Sequence, residues 1–144
     1  MTINEKQDDI IEEFDLFDDP LDKTQYIIDL GKKLPPMPEQ YRTDDKLIRG
    51  CQSKVWLHSE MNGDNVHFEA DSEPTAQISK GLVSLLIRVL DGEKPEDVAN
   101  ANLYFIERIG LSNLVTSRRA GGLASMLKQM KDFSTVQADL KSNA

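Results

Sequence analysis

The feature that most constrains this chain is a change of hydrophobic period in its middle third. From Ser53 to Met61 the side chains alternate. Ser53, Val55, Leu57, Ser59 and Met61 form one face, and Lys54, Trp56, His58 and Glu60 form the other, the period-two signature of a strand with one buried side. Asn62-Gly63 follows, a dipeptide that favours a tight hairpin turn. Val66, Phe68 and Ala70 then alternate with His67, Glu69 and Asp71. A two-residue turn at Asn62-Gly63 sets Leu57 opposite Phe68, Val55 opposite Ala70 and His58 opposite His67. Both apolar sets then lie on one side, and a four-residue turn keeps the same sidedness. A third strand is expected before Gly50, around Lys46 to Arg49.

On either side of this hairpin the period is helical. Asn4 is expected to cap a helix carrying Ile10, Ile11, Phe14 and Phe17. Asp19-Pro20 opens a second, with the aspartate as cap and the proline at its first position. Its stripe is Tyr26, Ile27 and Leu30, and Gly31 lies near its end. Leu34-Pro35-Pro36-Met37-Pro38 is a connector that no helix crosses easily. Ser72 and Pro74 are expected to open the main helix, which runs to about Leu90 through Ile78, Leu82, Leu85, Leu86 and Val89. Val83, Ile87 and Leu90 widen this stripe, so the helix is expected to be buried on more than one side. Asp91-Gly92 ends it. Short helical turns follow at Pro95–Ala99 and Leu103–Ile109. Thr116 or Ser117 caps a last helix with Leu123, Met126, Leu127 and Met130 inward. After Phe133 the pattern is lost and the tail is expected to fray. The whole reads as one α+β domain over residues 1–144, a small antiparallel sheet of about three strands covered by helices.

Charge removes several classes of function. The chain carries a net charge of −8. Residues 1 to 45 hold 13 acidic and 5 basic side chains, and residues 46 to 144 hold 12 of each. The acidic excess therefore lies wholly in the first third, which is the wrong sign for binding nucleic acid. That segment reads as a solvated helix face, or as a steering surface for a basic partner. The longest apolar stretch, Leu82 to Leu90, contains Arg88 and is too short to span a bilayer. No signal-peptide pattern opens the chain, so no membrane role and a cytoplasmic location are expected. There is one cysteine, so no internal disulfide can form, and a reducing compartment keeps it a thiol.

That cysteine is Cys51, in Ile48-Arg49-Gly50-Cys51-Gln52-Ser53 between two candidate strands. Gly50 suits a loop tip, and Arg49 and Lys54 bring cations that favour thiolate. A magnitude limits the charge argument. A one-unit drop in a thiol pKa raises the thiolate fraction about tenfold. It also makes each thiolate about threefold less nucleophilic, so the net gain is only about threefold. Placement against a reacting sulfur must supply more. His58 and His67 could hold a metal weakly. Both read better as an exposed cross-strand pair, because no set of thiolates and carboxylates completes a site. Trp56 is expected to pack under a helix or loop. Gly81, Gly121 and Gly122 suggest close backbone packing rather than phosphate binding.

Gly50-Cys51-Gln52-Ser53-Lys54-Val55-Trp56 resembles the signature of the SufE sulfur acceptors, in which Gly-Cys-Gln-Ser precedes a variable residue and Val-Trp. Other blocks follow in the family's order. They are Tyr26-Ile27-Ile28-Asp29-Leu30-Gly31 with Leu34-Pro35, then Asp71-Ser72, Lys80-Gly81-Leu82, and Arg119 with Gly122-Leu123. The resemblance covers roughly residues 20 to 132 and implies a SufE/IscU-like fold. It implies that Cys51 accepts persulfide sulfur from a pyridoxal-phosphate cysteine desulfurase of the SufS-like kind, stimulates that enzyme, and passes sulfur to an iron–sulfur scaffold. It implies for Arg119 a contact with the cysteine loop or the partner. Arg118 stands beside it, and Ser117 stands where the family often has proline. No cofactor and no metal are implied for the chain itself. The competing reading is a non-catalytic docking or adaptor module with a structural cysteine.

Overall fold

The computed structural model describes residues 1–48, 54–110 and 121–142. Helix α1 (Ile3–Phe14) starts at Thr2, not at Asn4. The Thr2 hydroxyl accepts from the Glu5 N–H while the Glu5 carboxylate accepts from the Thr2 N–H, both at 3.1 Å. This reciprocal box satisfies two helix-end donors, whereas an asparagine alone would satisfy one. Helix α2 (Pro20–Lys32) begins as expected, with the Asp19 carboxylate accepting from the Leu21 N–H at 2.9 Å. The proline-rich connector then leads into two single 3₁₀ turns, Glu39–Tyr41 and Asp44–Lys46.

Strands β1 (Val55–Asn62) and β2 (Asn65–Ser72) form an antiparallel hairpin. Its register differs by two residues from the tight-turn expectation. Leu57 faces Ala70, Ser59 faces Phe68, and the turn is Gly63-Asp64. Gly63 has φ +63°, and no other residue type adopts positive φ among the described residues. Positive φ at the first turn position alone fits a II′ turn, where glycine is favoured, rather than the I′ turn that Asn-Gly suggests. Sidedness survives the shift because it is even. Val55, Leu57, Val66, Phe68 and Ala70 are all buried on the core side. His58 now faces Glu69, and His67 faces Glu60. The expected histidine pair therefore does not form.

The third strand is reduced to one bridge. Leu47 pairs with Trp56 on the outer edge of β1, and the Ile48 N–H donates to the Val55 carbonyl at 2.8 Å. Lys46 belongs to a 3₁₀ turn, so no regular strand precedes position 49. The opposite edge of β2 is also occupied. Gly92 donates to the Val66 carbonyl, and Val66 donates to the Glu93 carbonyl, both at 2.9 Å.

Helix α3 (Gln77–Leu90) is the centre of the molecule. It starts later than Ser72, because β2 claims that residue and a turn at Pro74-Thr75 intervenes. Leu82, Val83, Leu85, Leu86, Val89 and Leu90 are each at most 2% exposed, which places apolar contacts around most of its circumference. It lies between the hairpin and α2. At the α2 crossing Gly31 meets Gly81 so closely that a Cβ on Gly81 would sit 2.1 Å from the Ile27 carbonyl oxygen. Helices α4 (Pro95–Ala99) and α5 (Phe105–Arg108) follow. Helix α6 (Gly121–Ser142) packs on α4 and α3, with Leu123, Met126 and Met130 buried. It runs past Phe133, where its apolar pattern stops, and Val136 and Leu140 are exposed. Thr116 and Ser117, the expected caps, lie outside the described residues.

Polar ties set the helices around this core. Gln7 is fully buried in α1, accepting from the Phe105 N–H at 3.2 Å and donating to the Asn102 carbonyl at 3.1 Å. Arg88 on α3 forks onto the Glu13 carboxylate of α1, and the Tyr26 hydroxyl of α2 donates to the same group. Arg88 holds Glu13 below the usual carboxylate range. Burial and the hydrogen bond to Glu13 push the Tyr26 phenol up to about 12.

Candidate functional site

Cys51 and Arg119 lie outside the described residues, as do Arg49, Gly50, Gln52, Ser53 and Arg118. The described residues do show the frame from which the cysteine segment departs and to which it returns. Ile48 is held by Val55. Lys54 is held by Glu73 twice: its N–H donates to the Glu73 carboxylate, and the Glu73 N–H donates to its carbonyl, both at 3.0 Å. Positions 48 and 54 are therefore pinned at the start of β1.

Next to this corner lies a buried charge cluster. Asp71 faces Trp56 across the hairpin and is 3% exposed. One carboxylate oxygen accepts from the Ser72 N–H at 2.8 Å and lies 3.3 Å from the Lys80 ammonium. The other accepts from the Met37 N–H at 3.3 Å and from the Arg42 guanidinium. Burial pushes the Asp71 carboxyl up, but the Ser72 and Met37 amides and Lys80 outweigh it and hold it below its ordinary value. Arg42 also lies 5.9 Å over the Trp56 ring, close enough for a cation–π contact. Beside it Tyr41 stacks on His58 with ring centres 3.7 Å apart. The segment Glu39–Arg42 thus roofs the polar face of the hairpin at its Trp56 end. Trp56 is packed under a loop, as the sequence suggests.

The sequence marks Asp71 and Lys80 only as members of spaced blocks, and it leaves Arg42 unmarked. A tighter reading of alternation would not have found this cluster, because its members come from the connector, β2 and α3. The far half of the same face carries Glu60, His67 and Glu69, whose ligating atoms all lie within 4.8 Å of one another. Sequence reading misses these two glutamates because the assumed register sets the histidines against each other. Among the described residues, these three are the group able to hold a cation.

The family model described as SufE, Fe-S metabolism associated domain, matches residues 8–134. The chain belongs to the SufE family. An uncharacterized SufE-like protein of Rhizobium etli is 36% identical over 136 residues, spanning 91% of this chain and 90% of that protein. One from Rhizobium meliloti is 36% identical over 129 residues, spanning 86% and 91%. A protein of Plasmodium vivax named cysteine desulfuration protein SufE is 36% identical over 121 residues, which is 81% of this chain but 47% of that one. A solution structure of a hypothetical protein from Thermus thermophilus superimposes with a TM-score of 0.75 at 23% identity, covering 93% of this chain and 96% of the other. That likeness shows a shared fold. The SufE domain match starts earlier than the motif blocks, taking in most of α1, whose Ile10, Ile11 and Phe14 are buried.

Proposed function

We propose that this SufE-family protein is a sulfur carrier whose Cys51 accepts persulfide sulfur from a cysteine desulfurase. The observation that carries the reading is its one thiol, which lies in the Gly50–Trp56 block between two chain positions pinned to the same sheet corner. The family's association with Fe–S metabolism and the name of the Plasmodium relative support the donor. The chemistry is thiol–disulfide exchange. The Cys51 thiolate attacks the outer sulfur of the donor's cysteine persulfide. A new S–S bond forms to Cys51, the donor's S–S bond breaks, and the donor cysteine leaves as thiolate. The sulfane proton travels with the transferred sulfur or is lost to solvent. Clearing its persulfide frees the pyridoxal-phosphate enzyme for another turnover, and the carrier then yields sulfur to an iron–sulfur scaffold.

Arg119, on this reading, contacts the cysteine segment or the partner. Among the described residues no helix is long and apolar enough to cross a membrane. A cytoplasmic setting would keep the thiol reduced between rounds.

The test is an intact-mass measurement after incubation with the desulfurase and free cysteine. One added sulfur atom is expected on the protein and none on Cys51→Ser. Absence of the adduct while the desulfurase turns over overturns the proposal. Stimulation by Cys51→Ser equal to that by the unaltered protein would point to an adaptor instead.

A further inference from the structure

We propose that the open half of the hairpin's polar face is a divalent-cation site of zinc type, formed by Glu60, His67 and Glu69. Glu60 and His67 are direct cross-strand partners, and Glu69 lies two residues along β2 on the same face. Two strands therefore aim three donors at one point, and their ligating atoms already lie within 4.8 Å of one another. Donors on a tetrahedral zinc at ~2.0–2.1 Å are about 3.4 Å apart. The glutamates have partly exposed, rotatable stems, with side chains 44% and 31% accessible, so a small rotation closes the difference.

The imidazole is oriented for this role. His67 Nδ1 lies 2.9 Å from an Asp91 carboxylate oxygen, which the Phe68 N–H fixes at 2.7 Å. Donation from Nδ1 leaves Nε2 as the lone-pair nitrogen, 3.9 Å from Glu69. A carboxylate behind a ligating histidine is the usual outer support of a metal centre.

A second, independent observation comes from His58. It is 9% exposed, and neither ring nitrogen has a hydrogen-bond partner among the described residues. Its Nε2 faces Glu60 at 3.7 Å. Buried polar groups are rarely left so, and a cation held by Glu60 gives this imidazole a neighbour it can serve as a further donor. Two carboxylates and imidazole nitrogen, with Asp91 behind the His67 ring, make a mixed oxygen–nitrogen donor set without a thiolate. That set suits zinc and its transition-metal neighbours and does not suit magnesium or calcium, which take oxygen.

The site does not depend on the persulfide reading, and the test separates them by using the untagged Cys51→Ser protein, since a thiol also binds zinc. Titration calorimetry with Zn²⁺ is expected to give one saturable site, and zinc is expected to raise the melting temperature. His67→Gln and Glu60→Gln should each weaken binding at least tenfold. Asp91→Asn keeps an acceptor for Phe68 and should weaken it about tenfold or more. Melting temperatures without zinc verify that each variant is folded. No saturable binding below millimolar zinc, or equal binding by folded His67→Gln, overturns the proposal.

Discussion

Asp71 shows how much depends on one carboxylate. It collects two backbone amides and two cations, from partners as near as Ser72 and as far along the chain as Met37. Asp71→Asn keeps the shape but removes the charge that Arg42 and Lys80 face. Both cations retain solvent access, so a loss of about 2 kcal/mol is expected in urea denaturation, below the 3–5 kcal/mol of a fully buried pair. The pH sign follows from the lowered pKa. A carboxyl ionised more readily when folded contributes stability that is complete above its unfolded pKa of about 3.9 and is lost as pH falls through the folded value. The unaltered protein should therefore lose stability more steeply than Asp71→Asn as pH is lowered below about 4. Equal acid slopes would show that the charge contributes nothing. At this scale the sequence singles out Cys51, because a motif surrounds it, and passes over Arg42. A guanidinium in a connector carries no periodicity, and its value comes only from what the fold puts beneath it.

At the level of elements, the α2–α3 crossing is governed by absent side chains. Alanine in place of glycine within a helix ordinarily gains about 1 kcal/mol. At Gly81 the added carbon meets the Ile27 carbonyl at 2.1 Å, and backbone cannot yield as a side chain does. Gly81→Ala is expected to cost at least about 2 kcal/mol net, read as a lower urea midpoint. Gly31→Ala, whose nearest contact would be 2.8 Å, should cost less. Gly81→Ala as stable as the parent would refute the close crossing. The sequence shows Gly81 as a glycine inside a helical pattern, suggesting close packing, and Gly31 only as lying near a helix end, while Pro95 locates helix α4 to the residue. Errors arise where two local signals compete. Ser72 looks like a helix cap but is taken by the β2 ladder, and Asn62-Gly63 offers one turn while the strands extend through Asn62 to use Gly63-Asp64. The two-residue error is invisible to hydrophobic alternation, yet it decides which polar side chains meet.

Across the whole molecule the charge is unequally available. On the outer part of α1, Glu13 is engaged by Arg88, and Asp8 accepts from the Tyr104 hydroxyl at 2.8 Å. Asp9 and Glu12 are exposed beside Leu16, which is 82% exposed. If desulfurase docking uses this surface, association should slow as salt rises, and Asp9→Asn with Glu12→Gln should reproduce the loss at low salt. Salt-insensitive association measured by stopped flow would assign docking elsewhere. The α+β architecture is readable from the order of periods, but which acids are committed internally is not, because their partners lie 75 and 96 residues away in sequence. The short sheet has a last consequence. A two-stranded ribbon normally offers two unsatisfied borders to other chains. Here Leu47 and Ile48 occupy one at Trp56 and Val55, and Gly92 and Glu93 occupy the other at Val66. A partner arriving at these places cannot zip onto the backbone as an added strand. At these places it must recognise side chains, so recognition there is open to tuning by substitution at the surface without rewriting the ribbon.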